Sequence, residues 1–172
     1  MNFDQCFELS VKAEGRFQKN PKDRGNWTGG QIGVGELKGT KFGISAAAYP
    51  HLDIEALTRE AVRPLYRTDY WDKLNADALP EWLRYPLFDY AVNSGWVRAA
   101  RDLQAAVGVL RDGNIGPRTL AAVQKARARD VLRQLFVDRC MTFALDPADQ
   151  TFGPGWFARI YDIYELTWST PA

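Results

Sequence analysis

A chain of 172 residues is one domain, or one domain in two lobes. It can bury about two thirds of its unfolded surface without a metal or disulfide staple. Its 22 basic and 21 acidic side chains leave a net charge of +1, which excludes the strongly basic footprint of a nucleic-acid binder. The first element in chain order is a helix over residues 2–13, where Phe3, Cys6 and Phe7 carry helical spacing and Gly15 suits a left-handed stop. Residues 15–43 are glycine-rich, with short alternating pieces such as Gln31-Ile32-Gly33-Val34, and predict a loop with a small hairpin. From Ser45 onward the pattern is almost wholly helical. Ser45 caps a short turn through Tyr49, and Thr58 caps the next helix, inside which Pro64 should kink or break the backbone. Pro80 precedes a helix with an apolar face of Leu87, Phe88, Ala91 and Val92, ended by Gly95. Trp96, Ala100, Leu103 and Val107 form a further face, and "DGNIGP" is a turn with Pro117 opening another helix. Val131, Leu132, Leu135, Phe136, Cys140 and Phe143 make the most regular stripe. Phe157, Ile160, Tyr161, Tyr164 and Trp168 make the last. The fold class is α+β, mainly α.

Cys6 and Cys140 stand far apart with no CxxC, so two free thiols and one long bridge are both open. Cys6 falls on an apolar helix face, which favours free thiols. The opening "MNFDQCFELSVKAEG" has no basic start, continuous apolar core or cleavage site, so we expect synthesis in the cytoplasm without a signal peptide. No run reaches the length of a membrane span.

The residue inventory narrows the chemistry. The single histidine, His51, is too little for a zinc site, and no nucleophile elbow, P-loop or dinucleotide fingerprint is present. No cofactor and no metal are expected. Carboxylates remain, and a pair of them can hydrolyse a glycosidic bond unaided. Glu14 directly follows an apolar helix, where burial would keep it protonated; Asp23, in a polar turn, suits the ionised partner. A solvated helix-end glutamate and an ordinary turn aspartate give the same pattern.

The segments "AEG", "NPKD", "GTKFGIS", "LDIEALTREAVRPLYRTDYWDKL" and "FDYAVNSG" resemble the phage and bacterial muramidases of glycoside hydrolase family 108. The stretch "LQAAVGVLRDGNIGPRTLAAV" resembles the peptidoglycan-binding-type region that accompanies them. Where the family has Glu-Gly-Gly-Tyr, this chain has Glu14-Gly15-Arg16-Phe17. The resemblance implies a lysozyme-like fold, with a catalytic part over residues 1–95 and a helical peptidoglycan-binding-type region over 96–172. It implies Glu14 as general acid, with Asp23 and Thr40 as catalytic partners, acting on the β-1,4 bond between N-acetylmuramic acid and N-acetylglucosamine. The β-rich stretch would form one wall of a groove, with Trp27, Tyr49, Asp89, Asn93, Tyr90 and Trp96 as candidate substrate contacts. Asp89 and Asn93, four apart, share a helix face that either looks into that groove or forms a solvated pair. The expected partner is bacterial peptidoglycan, met by a monomer after release to the wall, with no nucleic acid or membrane involved. A non-catalytic wall-binding module and a lytic transglycosylase are the competing readings.

Overall fold

The structure is a computed structural model; it describes residues 1–13, 16–144 and 149–168. Glu14 and Gly15, and the side chains of Phe143 and Trp168, lie outside the described residues. The chain divides into two compact units, a smaller one of Phe7–Arg67 and a larger one of Met1–Cys6 with Thr68–Ala172. The class is the mainly helical α+β one expected from the sequence. Among the described residues there are seven α-helices and a two-stranded sheet near the N-terminus.

Helix α1 spans Phe3–Ala13. Asn2 and Gln5 start it by a reciprocal cap: Gln5 N donates to Asn2 Oδ1 at 3.0 Å, and Asn2 N donates to Gln5 Oε1 at 2.9 Å. Phe3, Cys6, Phe7 and Val11 are buried, as helical spacing requires.

In the smaller unit the hairpin is shorter and later than the sequence suggests. Strands β1 (Thr40–Lys41) and β2 (Ile44–Ser45) pair antiparallel, with Thr40 opposite Ser45. Two isolated bridges, Gln18 with Thr40 and Trp27 with Leu37, extend the pairing back along the chain. Gln31 to Val34 forms turns instead of a strand, and Ile32 and Val34 are 61% and 47% exposed. Alternation alone could not place these residues on a sheet, because no neighbouring strand receives them. Gly39 has φ +91°, and a Cβ there would lie 2.5 Å from Gln18 O and 2.8 Å from the Phe17 ring. Only glycine lets this strand approach so closely. Helix α2 spans Arg59–Tyr66, and Thr58 caps it by accepting from Ala61 N. Pro64 does not end it: α2 runs on to Tyr66, and the backbone then widens to π-helical hydrogen bonding over Arg67–Trp71. Phe7 meets Tyr66 edge-on at 5.3 Å, and the Tyr66 hydroxyl donates to Phe42 O at 2.8 Å. Ile44, Ile54, Leu57 and Val62 complete this unit's interior.

The larger unit is built on α3 (Glu81–Ser94), with α4 (Trp96–Ala106), α5 (Pro117–Lys125), α6 (Ala128–Ala144) and α7 (Asp149–Trp168). Helix α3 packs against α4, α6 and α7. Every residue from Tyr85 to Ala91 is buried, the mark of a helix enclosed on all sides. Phe3, Trp71 and Phe88 form an edge-to-face trio with centroids 5.5–6.2 Å apart. Gly95, at φ +88°, separates α3 from α4, and Pro117 is the first residue of α5. On α7 the interior positions are Ile160 and Ile163, while Tyr161 is 62% exposed and Phe157 40%. Of the stripe read from the sequence, Ile160 is buried as expected, whereas Phe157, Tyr161 and Tyr164 face outward. Cys6 and Cys140 are both free thiols.

Candidate active site

Asp23 and Thr40, 17 positions apart, belong to one hydrogen-bonded cluster in the smaller unit. Asp23 caps a 3-10 turn over Arg24–Asn26, its Oδ1 accepting from Gly25 N at 2.8 Å. Its Oδ2 accepts from Gln18 Nε2 at 3.0 Å. The same Gln18 nitrogen donates to Asn26 Oδ1 at 3.0 Å, and Asn26 Nδ2 returns a bond to Gln18 Oε1 at 2.7 Å. Thr40 Oγ1 donates to Asn26 Oδ1 at 2.7 Å. Two side-chain amides thus connect the carboxylate to the hydroxyl.

The backbone explains why these groups meet. Gln18 and Thr40 exchange both main-chain hydrogen bonds at 2.9 Å, which places their side chains in register. Asn26 is fully buried, and its amide is saturated: Nδ2 donates to Gln18 Oε1 and to Asn20 O, while Oδ1 accepts twice. Such a satisfied buried amide resists rearrangement. Asp23 is exposed and Thr40 half-buried. With its proton committed to Asn26, the Thr40 oxygen retains lone pairs to accept from water. The cluster can therefore hold a carboxylate and a water acceptor in fixed relation.

Gln18 and Asn26 were not among the residues read from the sequence. Side-chain amides in a glycine-rich stretch look like turn residues, and their role follows only from a strand register that one sequence does not display. Trp27 is half-buried beside this cluster in sequence, and its indole N–H donates to Pro21 O at 2.9 Å, so its polar edge is spent within the loop. Tyr49 is half-buried in the same unit. His51 is exposed and, with Lys19, Lys38, Asp53 and Glu55, borders a cavity of about 320 Å³. Among the described residues no three His, Cys, Asp or Glu side chains are grouped to hold a metal ion.

Asp89 and Asn93 lie in the larger unit. They do share a face of α3, but Asp89 is not available to a sugar. It is wholly buried, and its carboxylate accepts from Arg139 Nη2 at 2.6 Å and from Arg159 Nη2 at 2.6 Å and Nε at 3.0 Å. Burial pushes its pKa up, and the two guanidinium charges with their hydrogen bonds outweigh that, leaving the carboxyl below its usual range. Asn93, half-buried, accepts from the same Arg139. The face is interior because arginines 50 and 70 positions downstream return to it. Tyr90 is also interior, its hydroxyl donating to Asp102 Oδ2 at 2.6 Å. Trp96 is half-buried at the start of α4.

A family model described as Glycosyl hydrolase 108 matches residues 7–95. One described as Predicted Peptidoglycan domain matches residues 94–160. Among solved structures, the structure of Brucella abortus SagA is 31% identical to this chain, covering 97% of it and 94% of the SagA chain with a TM-score of 0.81. No curated protein matches. The chain belongs to the glycosyl hydrolase 108 family, and is a glycoside hydrolase of bacterial peptidoglycan joined to a peptidoglycan-binding-type region.

Proposed function

We propose that the protein is an N-acetylmuramidase (lysozyme), hydrolysing the β-1,4 bond between N-acetylmuramic acid and N-acetylglucosamine. Glu14 gives its proton to the bridging oxygen as the bond from that oxygen to the muramic C1 breaks. Asp23 and Thr40 hold the water whose oxygen adds to C1, and the water's proton is released. The observation that carries this reading is the Asp23–Gln18–Asn26–Thr40 cluster, whose Gln18 follows Glu14 by four positions. Trp27 and Tyr49, in the same unit, are the substrate contacts we assign to it. We also assign catalysis to residues 1–95 and wall attachment to residues 96–172. The setting is endolysin-type: an enzyme held in the cytoplasm until released to the wall.

The test compares wild type with Glu14→Gln on purified peptidoglycan, reading reducing ends and product masses. A general acid contributes about 10²–10⁴-fold, so the variant should lose at least about a hundredfold. Wild-type-like turnover by Glu14→Gln removes the assignment. Products lighter by one water, with a 1,6-anhydro end, replace hydrolysis with transglycosylation.

A further inference from the structure

The larger unit contains a cleft of about 530 Å³ at the start of α4, within the size range of small-ligand sites. Arg98, Arg101 and Asp102 line it from one face of the helix, at i, i+3 and i+4. Arg111 enters from the loop after α4. That loop is held by buried Gln104, whose Nε2 donates to Asp112 Oδ1 at 2.6 Å and to Asn114 O at 3.0 Å. Gln104 Oε1 in turn accepts from Gly113 N at 2.8 Å. Three guanidinium groups therefore face one carboxylate. Asp102 is already committed, with Oδ1 to Arg111 at 2.9 Å and Oδ2 to the Tyr90 hydroxyl. Arg98 donates to neutral Thr142 at 3.3 Å. Among the described residues the Arg101 side chain has no ion-pair or hydrogen-bond partner. The Ser94 hydroxyl oxygen, on the rim, is buried without a partner, and Gly95 offers no side-chain cap to the first N–H groups of α4. The cleft thus has excess positive charge and unmet donors, with the Trp96 ring beside them.

We propose that this cleft binds the carboxylates of peptidoglycan stem peptides. The inference rests on the reading that the protein acts on peptidoglycan. The N-acetylated glycan is uncharged once each muramic lactyl group is amide-linked to a peptide, so the negative groups of that polymer sit on its stems. Guanidinium forks match carboxylates by paired hydrogen bonds, and a helix N-terminus adds a favourable field. The hydrolase would then grip the peptide with its larger unit while the sugar chain is cut elsewhere.

The test is a calorimetric titration of the full chain with a synthetic stem tetrapeptide and with the same peptide fully amidated. Wild type should bind the free-acid peptide at least about tenfold more tightly, the worth of one charged hydrogen-bond pair. Arg101→Ala should abolish most of that preference, and Arg98→Ala should reduce it. Arg133→Ala, an exposed arginine elsewhere on α6, should keep it. Equal affinity of wild type for the two peptides overturns the proposal. So does a preference retained in both cleft variants, or lost equally in Arg133→Ala. Tighter binding of inorganic phosphate than of the peptide overturns it in favour of a phosphate-bearing wall polymer. Failure of the muramidase reading shows separately, as wild type releasing no reducing ends from peptidoglycan.

Discussion

Replacing Asp89 with asparagine tests whether the larger unit depends on a buried charge cluster. The substitution preserves volume and creates no cavity, so it isolates the electrostatic effect. It leaves the side chains of Arg139 and Arg159, 3% and 14% exposed, facing each other without their anion. Breaking a buried pair in this way costs about 3–5 kcal/mol. For a chain of this length each kcal/mol moves the midpoint by about 2–4 °C, so Tm should fall by about 6–20 °C. The Glu8–Arg59 pair is the control. Its 2.8 Å separation is similar, but its side chains are 61% and 43% exposed, and Glu8→Gln should cost no more than about 1 kcal/mol. Circular dichroism melts of both variants at pH 6 supply the comparison. The pH dependence has a definite sign. The folded Asp89 pKa is depressed, so its contribution is complete above the unfolded value of about 3.9 and is lost as pH falls through the folded value. The gap between wild type and Asp89→Asn should therefore narrow below about pH 4. A gap under about 3 °C at pH 6, or equal losses in the two variants, would refute the reasoning.

Asn26→Ala should lower the urea midpoint by the equivalent of about 2–3 kcal/mol, because Gln18 and Thr40 lose buried partners. It should also slow reducing-end release although Glu14 is intact; an unchanged midpoint would show that the cluster is not a structural unit. Burial pushes the Cys6 thiol up to about 12, so it stays neutral and unreactive in the folded chain. Stability from this raised value is full below the unfolded thiol's pKa of about 8.5 and is lost as pH rises toward 12. At pH 8 an alkylating reagent should label half-buried Cys140 before Cys6, and equal rates contradict the packing described.

Much of the helical framework was legible because it is local. Thr58, Pro80, Gly95 and Pro117 punctuate the backbone through their own geometry, whatever surrounds them. The apolar spacing of α1 and α6 needed only a helical period. The hairpin was less legible, since glycine-rich chain offers many turns, and its place follows from the positive-φ turn at Phe42-Gly43 and from Gly39's close approach to Phe17 and Gln18. Pro64, read as a kink or break, stays inside α2, because a helix held by its neighbours tolerates one missing donor; the change to π-helical bonding comes only after Tyr66.

The sequence by itself determined the class of chemistry available: one histidine, no metal spacing, and carboxylates beside a glycine-rich loop within a recognisable order of segments. Tertiary structure decided which polar groups serve that loop and which serve the core. Asp23 and Asp89 are the same side chain, yet one caps an exposed turn in a network of amides and the other is enclosed by two arginines. The difference lies in partners at positions 18, 26, 139 and 159, brought together by strand register and helix packing. Whether a carboxylate faces water or guanidinium depends on distant parts of the chain, and its own neighbours in sequence carry no record of them.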